Sequence, residues 1–118
     1  MAQQCTAAFD AIAAVLKAGA MPAQVIEAAS VIEEAGFTII DDLLHGYGGG
    51  YLPPILGCKS RPAGLVPETP FCAGQTVVIQ PNVVTRDGQA GVQTGELVVI
   101  TESGTERLHA MPRGFMQL

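Results

Sequence analysis

The sequence predicts an α+β fold in which two N-terminal helices pack on one face of an antiparallel sheet. Up to Gly36 it is rich in Ala and straight-chain residues, with apolar residues at helical spacing. After Gly36 it changes to short apolar runs separated by Gly, Pro, Asn and Asp, which is typical of strands and turns. A chain of 118 residues matches the usual size of one domain, so we expect a single domain over residues 1–118.

The two helices are defined by their end signals. The first is predicted over residues 2–18, and Gly19 ends it because glycine favours the turn after a helix. Pro22 opens the second helix, since proline is well tolerated in a first helical turn. Gly36 ends this second helix. The connection between the helices is short, which favours an antiparallel pair.

The strands are predicted from apolar runs bounded by turn residues. The strand candidates are residues 37–40, 43–47, 76–79, 83–85, 91–102 and 105–111. Asp87–Gly88 and Ser103–Gly104 supply turns. We expect a flexible glycine-rich segment at residues 45–51 and a long irregular connection at 55–74. Gly95, inside the longest candidate, indicates a bulge or a close approach of two backbones.

Composition and charge exclude several classes of function. The net charge is −5, and the six Lys and Arg residues are scattered singly, so there is no basic surface to bind phosphates and we expect no nucleic-acid partner. Charged residues interrupt the apolar runs, which predicts no membrane span. The three cysteines are an odd number without a C-x-x-C pair, so we expect free, mostly buried thiols. The N-terminus lacks the pattern of a secretion signal, and we expect a cytoplasmic protein.

Four motifs occur in a fixed order along nearly the whole chain. They are LKAGAMPAQVIEAASVIEEAGF (16–37), HGYGGGYLPP (45–54), FCAGQTVVIQPNVV (71–84) and AGVQTGELVVITESGTERL (90–108). In order and spacing they resemble the second half of the pita-bread catalytic domain of aminopeptidase P, prolidase, creatinase and methionine aminopeptidase. The resemblance implies a partial pita-bread fold and a hydrolase related to Xaa-Pro peptidases.

The same resemblance implies a metal site whose ligands are largely replaced. The family holds two divalent metals with two aspartates, a histidine and two glutamates, because such cations need anionic oxygen ligands. His45 matches the ligand histidine, whereas Gln80 and Gly95 stand at the two glutamate positions. We expect the two aspartates to lie upstream of this chain. Glu96 follows one residue after Gly95, which places it on the opposite face of a strand.

The candidate site is therefore a neutral polar pocket. His45 is the candidate catalytic residue, and the candidate ligand pocket consists of His45, Tyr51, Gln80, Asn82, Gln93 and Glu96. Amide and imidazole groups form hydrogen bonds with a ligand but do not neutralise divalent cations. We expect no metal cofactor, and we consider a small peptide or an amidine-type molecule as the ligand.

Each candidate also has an ordinary structural interpretation. His45 is equally a structural histidine, Gln80 a polar strand end, and Glu96 an exposed strand residue. Asp41–Asp42 resemble paired carboxylates but more simply break a strand or face water. Arg107 and His109 belong to an alternating polar pattern that is normally solvated.

Two functions follow from these alternatives. One is a hydrolase domain for Xaa-Pro peptides or a related amide or amidine, unable to bind two metals or to hydrolyse peptides alone. The other is a non-catalytic binding module derived from that family. We expect this module to form a homodimer, because a half-domain leaves an apolar sheet surface uncovered.

Overall fold

A computed structural model describes residues 1–112 and 114–115. Its helices are α1 (Ala2–Val15), α2 (Pro22–Ala28) and α3 (Val31–Glu34). The first predicted helix ends at Val15 instead of residue 18, and the second is divided. Between α2 and α3, Ser30 N–H donates to the Glu27 carbonyl (3.1 Å) and Ile32 N–H to the Ala29 carbonyl (3.0 Å). These bonds join residues three apart, so a tight turn interrupts the α-helical pattern.

Seven strands follow the helices. They are β1 (Leu44–Tyr47), β2 (Tyr51–Leu56), β3 (Thr76–Ile79), β4 (Asn82–Val84), β5 (Gly91–Gln93), β6 (Glu96–Ile100) and β7 (Thr105–Arg107). Five form an antiparallel sheet in the order β2-β1-β3-β6-β7, and β4 and β5 form a separate hairpin. The predicted α+β class and antiparallel sheet are confirmed.

The structure corrects several of the segments predicted after the helices. Residues 37–40 contribute only an isolated bridge between Thr38 and Val84. Residues 45–51 are not one flexible segment, because both ends pair in the β1–β2 hairpin and only the glycines between them form a loop. The candidate 91–102 is divided into β5 and β6, which belong to different sheets. The predicted strand at 76–79 matches β3, whereas the last candidate ends at residue 107 instead of 111.

One face of the five-stranded sheet is covered by the helices. The register pairs Leu44 with Ile79 and Val77 with Val98, so these residues share that face. All four are buried and form one cluster with Leu16, which follows α1, and with the helical side chains Ile12, Val25 and Ile32. We call this side the covered face. Burying each such aliphatic side chain stabilises the fold by about 1.5–3 kcal/mol.

The opposite side, which we call the open face, has no helix packed on it among residues 1–112 and 114–115. His45 pairs with Val78, and Val78 with Leu97, so the three side chains lie on this face. No helix in the described part of the chain is long and apolar enough to cross a membrane. The cysteines are free, with Cys5 and Cys58 buried and Cys72 exposed.

Candidate functional site

Three positions singled out from the sequence converge at one end of the open face. Gln80 lies two residues beyond Val78, and its N–H donates to the Leu43 carbonyl over 2.9 Å, which continues the strand and directs Gln80 to the side of His45. A Cβ atom placed on Gly95 would lie 3.3 Å from the Cβ of Gln80. The predicted close approach at Gly95 is therefore confirmed.

His45 is held in place by its neighbours. Only 3% of its surface is exposed, and the Tyr51 ring stacks on the imidazole with centroids 3.6 Å apart and planes inclined by 15°. Its Nδ1 lies 2.8 Å from the carbonyl oxygen of Gly46. Because a carbonyl oxygen only accepts hydrogen bonds, Nδ1 carries the proton in the neutral ring. Tyr51 therefore covers an imidazole whose tautomer is set by the backbone.

Gly46 permits the close packing of β1 on β2. The pairing register shifts between His45 and Gly46, opposite the bulge that contains Pro53–Pro54. A Cβ atom at Gly46 would lie 2.5 Å from the carbonyl oxygen of Pro53 and 2.9 Å from that of Leu52. Any larger residue here would have to displace backbone atoms, which explains why glycine follows the histidine.

Asp42 is the centre of a polar network, although its sequence context predicts a strand break or contact with water. Its side chain is only 5% exposed. The Tyr51 hydroxyl donates to Oδ2 over 3.1 Å, and the Gln80 amide donates to Oδ1 over 2.8 Å. The same amide nitrogen lies 3.0 Å from the Tyr51 hydroxyl oxygen. Two neutral donors therefore satisfy a buried carboxylate.

Tyr51 remains a hydrogen-bond donor at neutral pH. Loss of water around its hydroxyl group raises the pKa of the phenol. The hydrogen bond from Gln80 opposes this, and the negative charges of Asp42 and Asp41 add to the rise in pKa. The Tyr51 hydroxyl thus stays protonated and keeps its bond to Asp42.

Asn82 and Gln93 pair in the β4–β5 hairpin but differ in burial and in their contacts. Asn82 is buried, and its Oδ1 accepts hydrogen bonds from the N–H groups of Ile40 (2.7 Å) and Asp41 (3.1 Å). Its Nδ2 donates to the backbone carbonyl of Asp42 over 2.9 Å. Asn82 therefore fixes the segment that carries Asp42, whereas Gln93 is exposed.

Glu96 lies on the side opposite Gly95, as the sequence predicts, since β3 pairs Ile79 with Glu96 on the covered face. Its expected exposure is wrong: only 4% of the residue is exposed, and Oε1 accepts a hydrogen bond from Arg107 Nε over 2.5 Å. His109 is not simply solvated either, because its Nε2 accepts the N–H of Leu97 over 2.9 Å. These residues close the end of β6 and do not join His45.

The fold of this chain is found in known enzymes. The X-Pro aminopeptidase of Thermotoga maritima matches with a TM-score of 0.77 and 22% identity over 95% of this chain. A dipeptidase of Mycobacterium ulcerans matches with 0.76 and 28% over 98%, and the methionine aminopeptidase of Rickettsia prowazekii with 0.72 and 18% over 89%. The chain is a partial pita-bread domain. No protein-family model matches its sequence, and a comparison with curated proteins finds no match.

This pita-bread domain spans only part of those enzymes. It covers 31% of the length of the aminopeptidase and of the dipeptidase, and 49% of the methionine aminopeptidase. The similarity is therefore one of fold around His45, Gln80 and Gly95. It does not assign the activities of the longer enzymes to this chain.

Within residues 1–112 and 114–115, no group of three or more His, Cys, Asp or Glu side chains is placed to hold a metal ion. The nitrogen of the Gln80 amide points at Asp42, so Gln80 presents a donor where a metal needs an acceptor. Gly95 offers no side chain at all.

Proposed function

We propose that this pita-bread domain is related to Xaa-Pro peptidases but neither binds two metals nor hydrolyses peptides by itself. The arrangement of Gln80 carries the proposal. Its amide donates to Asp42 and contacts the Tyr51 hydroxyl. A neutral donor engaged in these bonds thus occupies the position where the family pattern has a carboxylate. Two divalent ions held without those carboxylates would lack most of the negative charge that offsets their own.

Calorimetric titration of the purified chain with Mn²⁺ and Co²⁺ tests this proposal. We expect no saturable binding below about 1 mM, because one imidazole and neutral amides form a weak site. With either metal present, an Xaa-Pro dipeptide such as Ala-Pro should remain uncleaved. The His45→Ala variant is the control and should behave like the wild type. Turnover that requires metal and disappears in His45→Ala would overturn the proposal.

For the ligand we propose a small cation, such as an amidine or the amino terminus of a short peptide. Both donors on the Asp42 carboxylate are neutral groups, so its negative charge is not balanced by them. Tyr51 stacks on His45 with one ring face, and 55% of its surface is exposed. An organic cation over the outer face of Tyr51 would gain a cation–π interaction and the field of Asp42 and Asp41.

Nuclear magnetic resonance titration with acetamidine and with Ala-Pro tests this ligand class. We expect the ring signals of Tyr51 and His45 to shift in a saturable way. Tyr51→Leu should abolish the His45 shift because the aromatic face is lost, whereas Tyr47→Leu, on the same hairpin, should preserve it. Equal shifts in both variants, or shifts with uncharged acetamide alone, would speak against a cation site.

A second candidate function is self-association through the open face. Tyr47, Tyr51 and Ile55 point to this face and are 40%, 55% and 41% exposed. Large apolar side chains clustered on an uncovered sheet favour contact with another protein surface. We propose a homodimer in which a second copy covers this face.

Sedimentation equilibrium tests the dimer with a matched pair of variants. Ile55→Lys places a charge within the proposed contact and should yield monomers. Leu65→Lys, at a loop residue that is 98% exposed, should leave the dimer intact. A wild-type monomer at 100 µM, roughly the range for weak interfaces, would reject the homodimer. We also propose a cytoplasmic location, which the free thiols favour.

A further inference from the structure

We propose that a second site, a cavity between β2 and the segment before β3, binds an uncharged and largely apolar organic molecule. The cavity has a volume of 560 Å³. Its apolar walls are formed by Pro53, Pro54, Pro67, Pro70 and Phe71. This site is independent of the function proposed for the open face, because His45, Tyr51 and Gln80 are not among its lining residues.

The walls of the cavity are fixed by the fold. Phe71 N–H donates to the Ala20 carbonyl over 2.9 Å, and Gly19 N–H donates to the Phe71 carbonyl over 2.8 Å. These bonds attach one wall to the turn between α1 and α2. The other wall is part of β2, where two successive proline rings restrict the backbone. The cavity is therefore largely preformed, which reduces the entropy lost on binding.

The chemistry of the lining selects the ligand. No lining residue carries a charge, so a charged group entering the cavity would lose water without gaining a partner. The polar groups are the Thr69 hydroxyl, the Cys72 thiol and the Gln75 amide. Gln75 Oε1 already accepts the Cys72 N–H over 3.1 Å, which leaves its NH₂ group as a donor. The volume lies in the range of small-molecule sites, roughly 300–1,000 Å³.

Cys72 gives the site a built-in reporter. It is exposed at the cavity, whereas Cys5 and Cys58 are buried. Burial also raises the pKa of the Cys5 thiol, which keeps that group protonated and slow to react. A thiol reagent added to the folded chain therefore modifies Cys72 first, and a ligand in the cavity protects it.

The test uses naphthalene-2-methanol, an uncharged two-ring alcohol, on the full chain at pH 7. Calorimetry should show one saturable site with a dissociation constant of about 10–100 µM, as expected for a ligand of this size. At saturation, the rate of Cys72 modification should fall at least fivefold. Naphthalene-2-carboxylate, which has the same rings and a negative charge, should bind at least tenfold more weakly.

Two tryptophan variants provide the matched comparison. Thr69→Trp places an apolar side chain at the cavity and should weaken binding at least tenfold. Leu65→Trp, in the same connection but 98% exposed, should leave affinity within twofold. Circular dichroism verifies that both variants fold. The proposal is wrong if the alcohol gives no saturable heat at 1 mM, if Thr69→Trp binds as well as the wild type, or if only apolar peptides protect Cys72.

Discussion

Alternate residues of β3 face two different environments. Val77 and Ile79 are fully buried under the helices, whereas Thr76 and Val78 on the open face remain half-buried. The covered face is closed by one continuous apolar cluster. The open face instead carries a stacked imidazole and the network around Asp42. The difference indicates that packing from one side supplies most of the burial of the sheet, so we expect substitutions on the open face to cost less stability.

The largest expected effect is on the covered face. Val77→Ala should lower the free energy of unfolding by about 2.5 kcal/mol, because it removes buried methyl groups and leaves a cavity. Val78→Ala makes the same chemical change on the open face and should cost less than about 1 kcal/mol. Urea unfolding of both variants measures the difference. Equal losses would mean that a partner or another segment closes the open face as tightly as the helices close the other.

A smaller effect is expected for Gln80→Glu. The change removes both amide contacts and sets a second carboxylate beside Asp42, at a cost of about 2 kcal/mol at pH 7. The negative charge of Asp42 raises the folded-state pKa of the introduced carboxyl group, so the missing stability returns as the pH falls through that raised pKa. Urea unfolding at pH 7 and pH 4 measures this change.

The control for Gln80→Glu is Gln93→Glu, at an exposed residue outside the network. It should change the free energy of unfolding by less than about 0.5 kcal/mol at both pH values. Two results would contradict this explanation: equal losses of unfolding free energy in the two variants, or a loss in Gln80→Glu that grows on acidification. Either would mean that repulsion from Asp42 does not cause the loss.

The smallest effect is expected for Tyr51→Phe. This variant keeps the ring that stacks on His45 but lacks the hydroxyl, so it should lose about 1 kcal/mol. Because the folded-state pKa of Tyr51 is raised, its contribution is present below the unfolded value of about 10 and is lost as the pH rises through the folded value.

Denaturation between pH 8 and pH 11 separates this contribution from others. Across that range the free energy of unfolding of the wild type should fall towards that of Tyr51→Phe. Tyr47→Phe, whose side chain is outside the Asp42 network, should change with pH in the same way as the wild type. A constant gap between wild type and Tyr51→Phe would show that the hydroxyl does not titrate as a hydrogen-bonded donor.

Local patterns predicted much of the fold. The short apolar run at residues 76–79, bounded by turn residues, identifies β3 at its observed bounds, and the one-residue offset places Glu96 on the face opposite Gly95. In contrast, β2 was missed because Pro53–Pro54 normally exclude a strand. It is tolerated here since β2 is an edge strand with a bulge. The division of residues 91–102 into β5 and β6 was also missed, because Gly95 indicated only a bulge or a close approach within one strand.

The candidate site was likewise predicted only in part. The motif around His45 identified the histidine, and Tyr51 and Gln80 belong to the predicted pocket. Their common partner Asp42 was not predicted, because Gln80 is 38 residues from Asp42 along the chain and Tyr51 is nine. No local pattern links residues so far apart. Glu96 was expected to be exposed, since the strand pattern does not reveal that Arg107 pairs with it.

The sequence by itself determined the α+β class, the two-faced strands and the absence of carboxylates at Gln80 and Gly95. These properties depend on residue type and on spacing within single elements. Only the tertiary structure decided that Tyr51 covers His45, that Asp42 is buried between two neutral donors and that prolines from distant segments line one cavity. Such contacts join separate strands, and their geometry follows from sheet register and loop packing, which spacing along one strand does not encode.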